Sequence, residues 1–259
     1  MSEVHASTVL GTVNGSPVKW TTFLSALKCE GAWSASVAAL LRYVFIAELA
    51  SRHQIAIADS ELQAAADQFR ARRGLHKASD TYQWIAQELI EEDEFARLVE
   101  HELIVDKLKR VFSDEAVQNK FTAERNRFDR ARLAQIVVDS KGLADELLTR
   151  LVEDGDDFST LARQHSLDQD SKDNGGFLGI LNRTDMSSEV ADTVFASQPG
   201  NTLGPFRIAG AYHLVKTLEL LPASLDEATS ELLRNEMLDE AITLAIAAAD
   251  IELRFDIED

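Results

Sequence analysis

Residues 158–179 read FSTLARQHSLDQDSKDNGGFLG and join an apolar stripe to a stretch rich in turn-forming residues. Phe158, Leu161 and Ala162 are spaced as on one face of a helix, so the pattern predicts a short helix over residues 158–165. Residues 166–177 are dense in Asp, Asn, Ser and Gly, which favour turns. The stretch therefore predicts a helix that leads into a loop.

The segments around this stretch indicate an α+β domain. Residues 132–138 are short and β-branched at their end, which predicts a strand, and residues 142–153 carry a helical leucine stripe. A short helix is predicted over 188–195, followed by strands over 203–208 and 212–218. The order strand, helix, helix, strand, helix, strand, strand is typical of an α+β fold.

The flanking regions are predicted to be mainly helical. Asn14-Gly15 lies between two strand-like segments over residues 8–22 and predicts a β-hairpin, after which helical spacing continues to about residue 127. Ser224 to Glu227 fit a capping box that would open another helix. Residues 251–257 alternate apolar and polar side chains, which predicts a strand. Because a lone strand needs a partner, we expect it to pair with the opening hairpin.

The charge balance excludes two classes of partner. The 259 residues include 26 Lys and Arg against 44 Asp and Glu, a net charge of −18. Nucleic acids and anionic membranes carry dense negative charge, so neither is an expected partner. Residues 219–259 alone hold 12 acidic and two basic residues, which predicts that this surface favours a client with a basic segment.

The termini and the cysteine content suggest a compartment. Residues 1–8 lack a basic start followed by a long apolar run, so no signal peptide is recognised. The apolar runs around Arg42 and Tyr43 and over residues 244–249 fall short of the roughly 18 residues of a membrane span. Cys29 is the only cysteine, which rules out an intramolecular disulfide. These observations predict a cytoplasmic protein.

The middle of the chain resembles the parvulin-type (PpiC, rotamase) family of peptidyl-prolyl cis/trans isomerases, in the multidomain SurA-like and PrsA-like foldase arrangement. The resemblance runs from Ala131 to Glu219. It rests on an ordered set of residues: Phe158, Leu161-Ala162, Ser166, Asp168, Gly175-Gly176-Phe177-Leu178-Gly179, Met186, Phe195, Pro199-Gly200, Gly204-Pro205 and Gly210-Ala211-Tyr212-His213.

The resemblance implies a specific domain organisation. A parvulin-like domain, a four-stranded antiparallel sheet with surrounding helices, is expected to be inserted into a mainly helical chaperone-like domain. The C-terminal helix and strand would complete that helical domain. The expected boundaries are 1–127 for the helical domain with its hairpin, 128–221 for the parvulin-like domain, and 222–259 for the returning helix and strand.

The implied chemistry is rotation about an X–Pro amide, which has a barrier of about 18–20 kcal/mol. No covalent bond breaks, and the family needs neither a cofactor nor a metal. The resemblance implies that Leu178, Met186 and Val190 line a socket for the proline ring of the client. It also implies that Asp168, His213 and Gln135 form the polar, catalytic part of the site.

Three positions depart from the family pattern. Gln135 replaces a histidine, Val190 replaces an aromatic residue, and Gly210 replaces a serine or threonine. Two functions therefore stay open. The first is an isomerase and folding helper acting on X–Pro bonds of a cytosolic polypeptide. The second is a parvulin-fold chaperone or peptide-binding module with little or no catalysis, for example one that assists the maturation of a precursor peptide.

Overall fold

The computed structural model describes residues 9–253 and residue 255, and it divides the chain into two compact units. The first unit combines the chain up to residue 114 with the chain from residue 231 onward, and the second unit is residues 115–230. The domain boundaries expected from the sequence, at 127/128 and 221/222, stay predictions.

The elements follow one another in chain order as a hairpin, six helices, an α+β region and a long final helix. They are β1 (Val9–Val13), β2 (Ser16–Lys19), α1 (Trp20–Cys29), α2 (Trp33–Arg52), α3 (Asp59–Arg72), α4 (Ala78–Glu88), α5 (Glu92–Lys109), α6 (Asp114–Glu124), β3 (Arg130–Val138), α7 (Lys141–Val152), α8 (Phe158–His165), α9 (Gln169–Lys172), β4 (Phe177–Asn182), α10 (Ser188–Ala196), β5 (Thr202–Ile208), β6 (Ala211–Leu221) and α11 (Glu227–Ala248).

The helical unit has two apolar clusters. In the first, Phe45 and Ile46 of α2 pack with Leu108 of α5 and with Leu238 and Ile242 of α11. The final helix therefore completes a core that begins nearly 200 residues earlier. The second cluster joins α3, α4 and α5 through buried apolar side chains, namely Phe69, Ile85, Phe95 and Val99.

Helix α2 is longer than its sequence suggested. Arg42 and Tyr43 do not interrupt it, and it is the one helix in the described ranges that is long and apolar enough to cross a membrane by length and composition. The prediction that no apolar segment reaches this length was therefore wrong. Its buried residues all lie in the C-terminal half and include Phe45 and Ile46, which pack in the core. Core helices of soluble proteins and signal sequences near an N-terminus both pass the same test of length and composition, and 22% of the apolar window of α2 is buried.

The second unit is built on a four-stranded antiparallel sheet with the order β4-β3-β6-β5. Side chains alternate between the two faces of each strand. One face, with Ile136, Val138 and Leu214, packs against α7 and α8. The other face, with Leu133, Val215 and Phe206, packs against α10. This arrangement confirms the predicted α+β fold and its antiparallel sheet.

Local capping explains where the helices start. The Asp157 carboxylate accepts a hydrogen bond from the Thr160 backbone N–H at 2.8 Å, so α8 begins at Phe158 as predicted. The predicted capping box at Ser224 was wrong: Asp226 accepts from the Thr229 N–H at 2.8 Å, and α11 begins at Glu227. Residues 20–22, predicted as strand, are the first residues of α1.

The predicted C-terminal strand is not seen in the residues that the structure describes. Residues 251–253 and 255 adopt no strand conformation, and the other positions of that prediction lie outside the described residues. The hairpin sheet contains β1 and β2. The chain end nevertheless returns to the helical unit, because the Phe255 ring packs edge-on against Trp33 with centroids 4.6 Å apart.

The turn between β5 and β6 accounts for one of the departures from the family pattern. Ile208 pairs with Ala211, so Ala209 and Gly210 form a two-residue turn, with φ angles of 49° and 90°. Such turns require positive φ at both positions, which suits Gly210 and not Ala209. In the first hairpin the two turn residues are Asn14 and Gly15, with φ angles of 52° and 79°. Both residue types tolerate positive φ.

Replacing Ala209 with Asn is expected to stabilise the second unit by about 0.5–1 kcal/mol, because Asn tolerates the left-handed conformation better than Ala. The matched reverse change, Asn14→Ala in the first hairpin, is expected to destabilise by a similar amount. Urea unfolding followed by circular dichroism measures both. A destabilised Ala209→Asn protein would contradict this account of the turn.

Candidate active site

The loop between α8 and β4 is hydrogen-bonded along β3. Strand β4 pairs with β3 only as far as Phe177 opposite Ala134. Beyond that point the Gln135 backbone N–H donates to the Gly176 carbonyl at 2.8 Å, and the Leu167 N–H donates to the Val137 carbonyl at 2.7 Å. The loop therefore continues the pairing of β3 where β4 has not yet begun.

Two side-chain features hold this loop in place. The buried Ser166 hydroxyl accepts hydrogen bonds from the backbone N–H groups of Val137, at 3.2 Å, and Asp168, at 3.3 Å. Gly176 has φ of 83°, and a Cβ there would lie 2.3 Å from the Gln135 carbonyl oxygen. Only glycine permits this close approach, which explains the paired glycines of the motif.

The loop brings Asp168 to the side chain of Gln135. The Gln135 Nε2 amide donates to Asp168 Oδ2 at 2.8 Å, and the Ser171 hydroxyl donates to the same oxygen. Ser171 is itself buried, in the short helix α9 that follows Asp168. The carboxylate is therefore fixed by one group from the sheet and one from its own loop.

Gln135 connects Asp168 to His213. A carboxylate only accepts hydrogen bonds, so the amide nitrogen of Gln135 faces Asp168 and its carbonyl oxygen faces His213. That oxygen lies 3.2 Å from His213 Nδ1, which must then carry the proton of this hydrogen bond. The structure thus joins the three predicted polar residues in one chain: carboxylate, amide and imidazole.

The two titratable groups of this chain have shifted pKa values. Hydrogen bonding by Ser171 is the largest effect on Asp168 and lowers the pKa of its carboxyl, and the Gln135 amide acts in the same direction. Burial lowers the pKa of His213, although the Asp168 carboxylate and a hydrogen bond to the Ile208 carbonyl both oppose the shift. At neutral pH the site therefore holds an ionised carboxylate and a neutral imidazole.

The three predicted socket residues also come together. Val190 is buried in the apolar cluster between the sheet and α10, and the partly buried Leu178 and Met186 pack against that cluster. Gln135 and Leu133 lie two residues apart on the same face of β3, which places the cluster beside the polar chain. The residues of the expected site are thus brought together, while their roles stay predictions.

Sequence reasoning missed Ser171 as a site residue. The sequence offered one signal, since Ser171 follows Asp168 by three residues, the spacing at which an Asp carboxylate can cap a following turn. Only the conformation of the loop shows that the hydroxyl points back to Asp168. Within residues 9–253 and residue 255, no group of three or more His, Cys, Asp or Glu side chains is arranged to hold a metal ion.

Replacing Asp168 with Asn is expected to lower the pKa of His213 further, because the carboxylate stabilises the imidazolium and the amide does not. In the folded variant, His213 would then become protonated only at a lower pH. A group whose pKa is lowered by folding stabilises the fold above its ordinary pKa and loses that contribution as the pH falls. The stability contributed by neutral His213 is thus lost on acidification below its ordinary value of 6.5.

NMR titration of the His213 ring protons tests this expectation. The matched control is Asp170→Asn, which removes a carboxylate of α9 two residues away, whereas the Gln135 amide donates to Asp168. The control is expected to leave the His213 titration close to that of the unmodified protein. An unchanged or raised pKa of His213 in the Asp168→Asn variant would contradict the electrostatic effect of Asp168 on His213.

The sequence of this chain is similar to those of several known proteins. Residues 133–219 match the sequence model of the rotamase family, described as the PPIC-type PPIASE domain. The foldase protein PrsA of Caldanaerobacter subterraneus is 28% identical over 131 residues, which are 48% of this chain and 42% of that protein. The parvulin-like PPIase of Rickettsia prowazekii is 28% identical over 171 residues, 61% of this chain and 60% of that protein.

The structural comparison concerns the fold alone. A crystal structure of the peptidylprolyl isomerase PrsA from Bacillus cereus covers 96% of this chain, and the match spans 94% of that chain, with a TM-score of 0.52 at 17% identity. The chain spans about half the length of the curated relatives it matches. Residues 133–219, which hold most of the four-stranded sheet and the loop paired to β3, are therefore the part of the chain that matches the PPIC-type rotamase domain.

Proposed function

We propose that this protein is a peptidyl-prolyl cis/trans isomerase that acts on X–Pro bonds of an unfolded or flexible polypeptide client. The observation that carries the proposal is the chain of hydrogen bonds from Asp168 through Gln135 to His213, beside the apolar cluster of Leu178, Met186 and Val190. An apolar socket with a polar wall suits a proline ring whose amide bond must be held and twisted.

The electrostatics of the polar wall favour the twisted amide. In a planar amide, resonance places partial negative charge on the carbonyl oxygen and double-bond character on the C–N bond, and twisting removes both. A carboxylate near that oxygen raises the energy of the planar form more than that of the twisted form. Because only such differential interactions lower a barrier, the ionised Asp168 is the group expected to contribute to the rate.

Gln135 and His213 are positioning residues in this proposal. The amide keeps Asp168 at a fixed place, and the imidazole keeps the amide from turning. Gln135 offers both a donor and an acceptor, so the chain survives the exchange of a histidine for a glutamine at this position. The replacement therefore need not abolish catalysis.

The test is NMR exchange spectroscopy on a panel of short X–Pro peptides. The unmodified protein is expected to accelerate exchange. Met186→Ala is expected to reduce the acceleration about tenfold through lost packing on the ring, or about 1.4 kcal/mol. Asp168→Ala is expected to reduce it further. Val152→Ala, an exposed apolar residue at the end of α7, is the control and is expected to retain full acceleration.

The second candidate, a peptide-binding module with little catalysis, is favoured by one observation: Val190 leaves the socket without an aromatic side chain at that position. Peptide binding without accelerated exchange in any X–Pro peptide would support this module and contradict the isomerase. The cytoplasmic location of the client, and a role in the maturation of a precursor peptide, stay predictions of the sequence.

We also propose that the client carries a basic segment, because the last 41 residues hold a net charge of −10. Part of this charge is already paired in α11, where Glu231 binds Lys109 and Asp239 binds Arg42. Attraction between exposed charges is screened by salt. The proposal therefore rests on the net charge of residues 219–259, and it predicts that salt weakens their attraction for a basic client.

Binding of a lysine-rich proline peptide is expected to weaken at least tenfold between about 0.05 and 0.5 M salt, since the Debye length falls well below 10 Å over this range. The same peptide with glutamine in place of lysine is the control and is expected to show little salt dependence. Fluorescence anisotropy measures both affinities. Equal salt dependence for the two peptides would show that the acidic surface does not select basic clients.

A further inference from the structure

The apolar cluster at the predicted socket contains a buried aromatic side chain that the sequence did not single out. Phe206 of β5 is 6% exposed and belongs to the same cluster as Val190, which is 5% exposed. Leu178 and Met186 pack against this cluster from the rim. An aromatic ring is therefore present where position 190 provides none, and it comes from a different element of the fold.

The sheet register places Phe206 next to the polar chain as well. Phe206 lies opposite His213 in the β5–β6 pair, and directly paired residues project from the same face of a sheet. His213 is also the residue whose ring reaches Gln135. Phe206 therefore lies where the apolar cluster meets the hydrogen-bonded residues Asp168, Gln135 and His213. The cluster and these three residues are the two halves of the candidate site.

The backbone before Phe206 fixes the position of its ring. Gly204 has φ of 114°, and a Cβ there would lie 2.6 Å from the His213 carbonyl oxygen and 3.3 Å from Phe206 Cδ2. The Phe206 ring therefore lies directly over the Gly204 backbone, and this stretch of β5 is held close against β6. A side chain so confined keeps one orientation and can serve as a wall.

We propose that Phe206 is a specificity-determining residue whose ring forms the aromatic wall of the proline socket, in place of the aromatic side chain absent at position 190. This inference rests on the proposed function. A proline ring packs its C–H groups against an aromatic face, which contributes beyond the burial of area. Phe206 and Val190 are a large and a small residue of one apolar cluster, so a change in the volume of one can be offset by the opposite change in the other.

The first test uses peptide binding and does not depend on catalysis. A tetrapeptide Ala-Leu-Pro-Phe labelled with ¹³C in its proline is titrated with the full chain. The ring current of Phe206 is expected to move the proline ring protons upfield, and Phe206→Leu is expected to remove most of this shift. Phe158→Leu is the control, because Phe158 is also buried but belongs to the apolar cluster on the opposite face of the sheet.

The second test exchanges the large and the small residue. Val190→Phe overfills the cluster and Phe206→Val empties it, so each change alone is expected to reduce the accelerated exchange at least tenfold. The double variant Val190→Phe, Phe206→Val is expected to recover to within about threefold of the unmodified protein. If the losses of the two single variants simply multiply in the double variant, the two side chains do not share a socket and the inference is overturned.

The outcomes separate this inference from the proposed function. Upfield proline shifts that depend on Phe206, without accelerated exchange, would support the aromatic wall and contradict the isomerase. Accelerated exchange with proline shifts that are unchanged in Phe206→Leu would support the isomerase and overturn the aromatic wall. The absence of any proline shift with the unmodified protein would overturn the socket itself.

Discussion

The pairing of the α8–β4 loop with the second half of β3 is the constraint on which the candidate site depends. Strand β3 is longer than its neighbour β4, so its remaining backbone groups need partners from elsewhere. The loop supplies them through Leu167 and Gly176, and Ser166 satisfies the Val137 N–H from the side. Asp168 lies between these anchor points, so its position follows from the backbone pairing and not from its own contacts alone.

The face of the sheet toward α10 is divided into a polar and an apolar part with little space between them. The polar part places a neutral amide between a carboxylate and an imidazole, which avoids burying two like or two strongly coupled charges. The apolar part is closed by α10 on one side and by β5 on the other. In the proposed function, the apolar part holds the proline ring and the ionised Asp168 disfavours the planar form of the amide bond attached to that ring.

Much of the fold could be predicted because its signals are local. The leucine stripe of α7, the Asp157 cap of α8 and the Asn14-Gly15 turn each specify an element over a few residues. Predictions failed where one local pattern competed with another. The alternation before α1 suggested a longer strand, and Ser224 resembled a cap although Asp226 provides the hydrogen bond.

The candidate site was predictable in its residue types and less so in its contacts. Asp168, Gln135 and His213 were expected from the motif, but the direction of the amide follows only from the hydrogen bonds on either side of it. Ser171 and the burial of Phe206 depend on loop conformation and on strand register. The spacing of Ser171 from Asp168 permits this contact without specifying it, and the burial of Phe206 depends on contacts between distant parts of the chain.

The shared core of α2, α5 and α11 has a consequence for the protein during synthesis. Domains generally fold as units while the chain emerges, the N-terminal one first. Here the helical unit lacks Leu238 and Ile242 until its last helix is made, whereas the second unit is complete at residue 230. We therefore expect the second unit to be able to fold before the helical unit. Until α11 emerges, the apolar side chains of α2 that pack on that helix lack those partners.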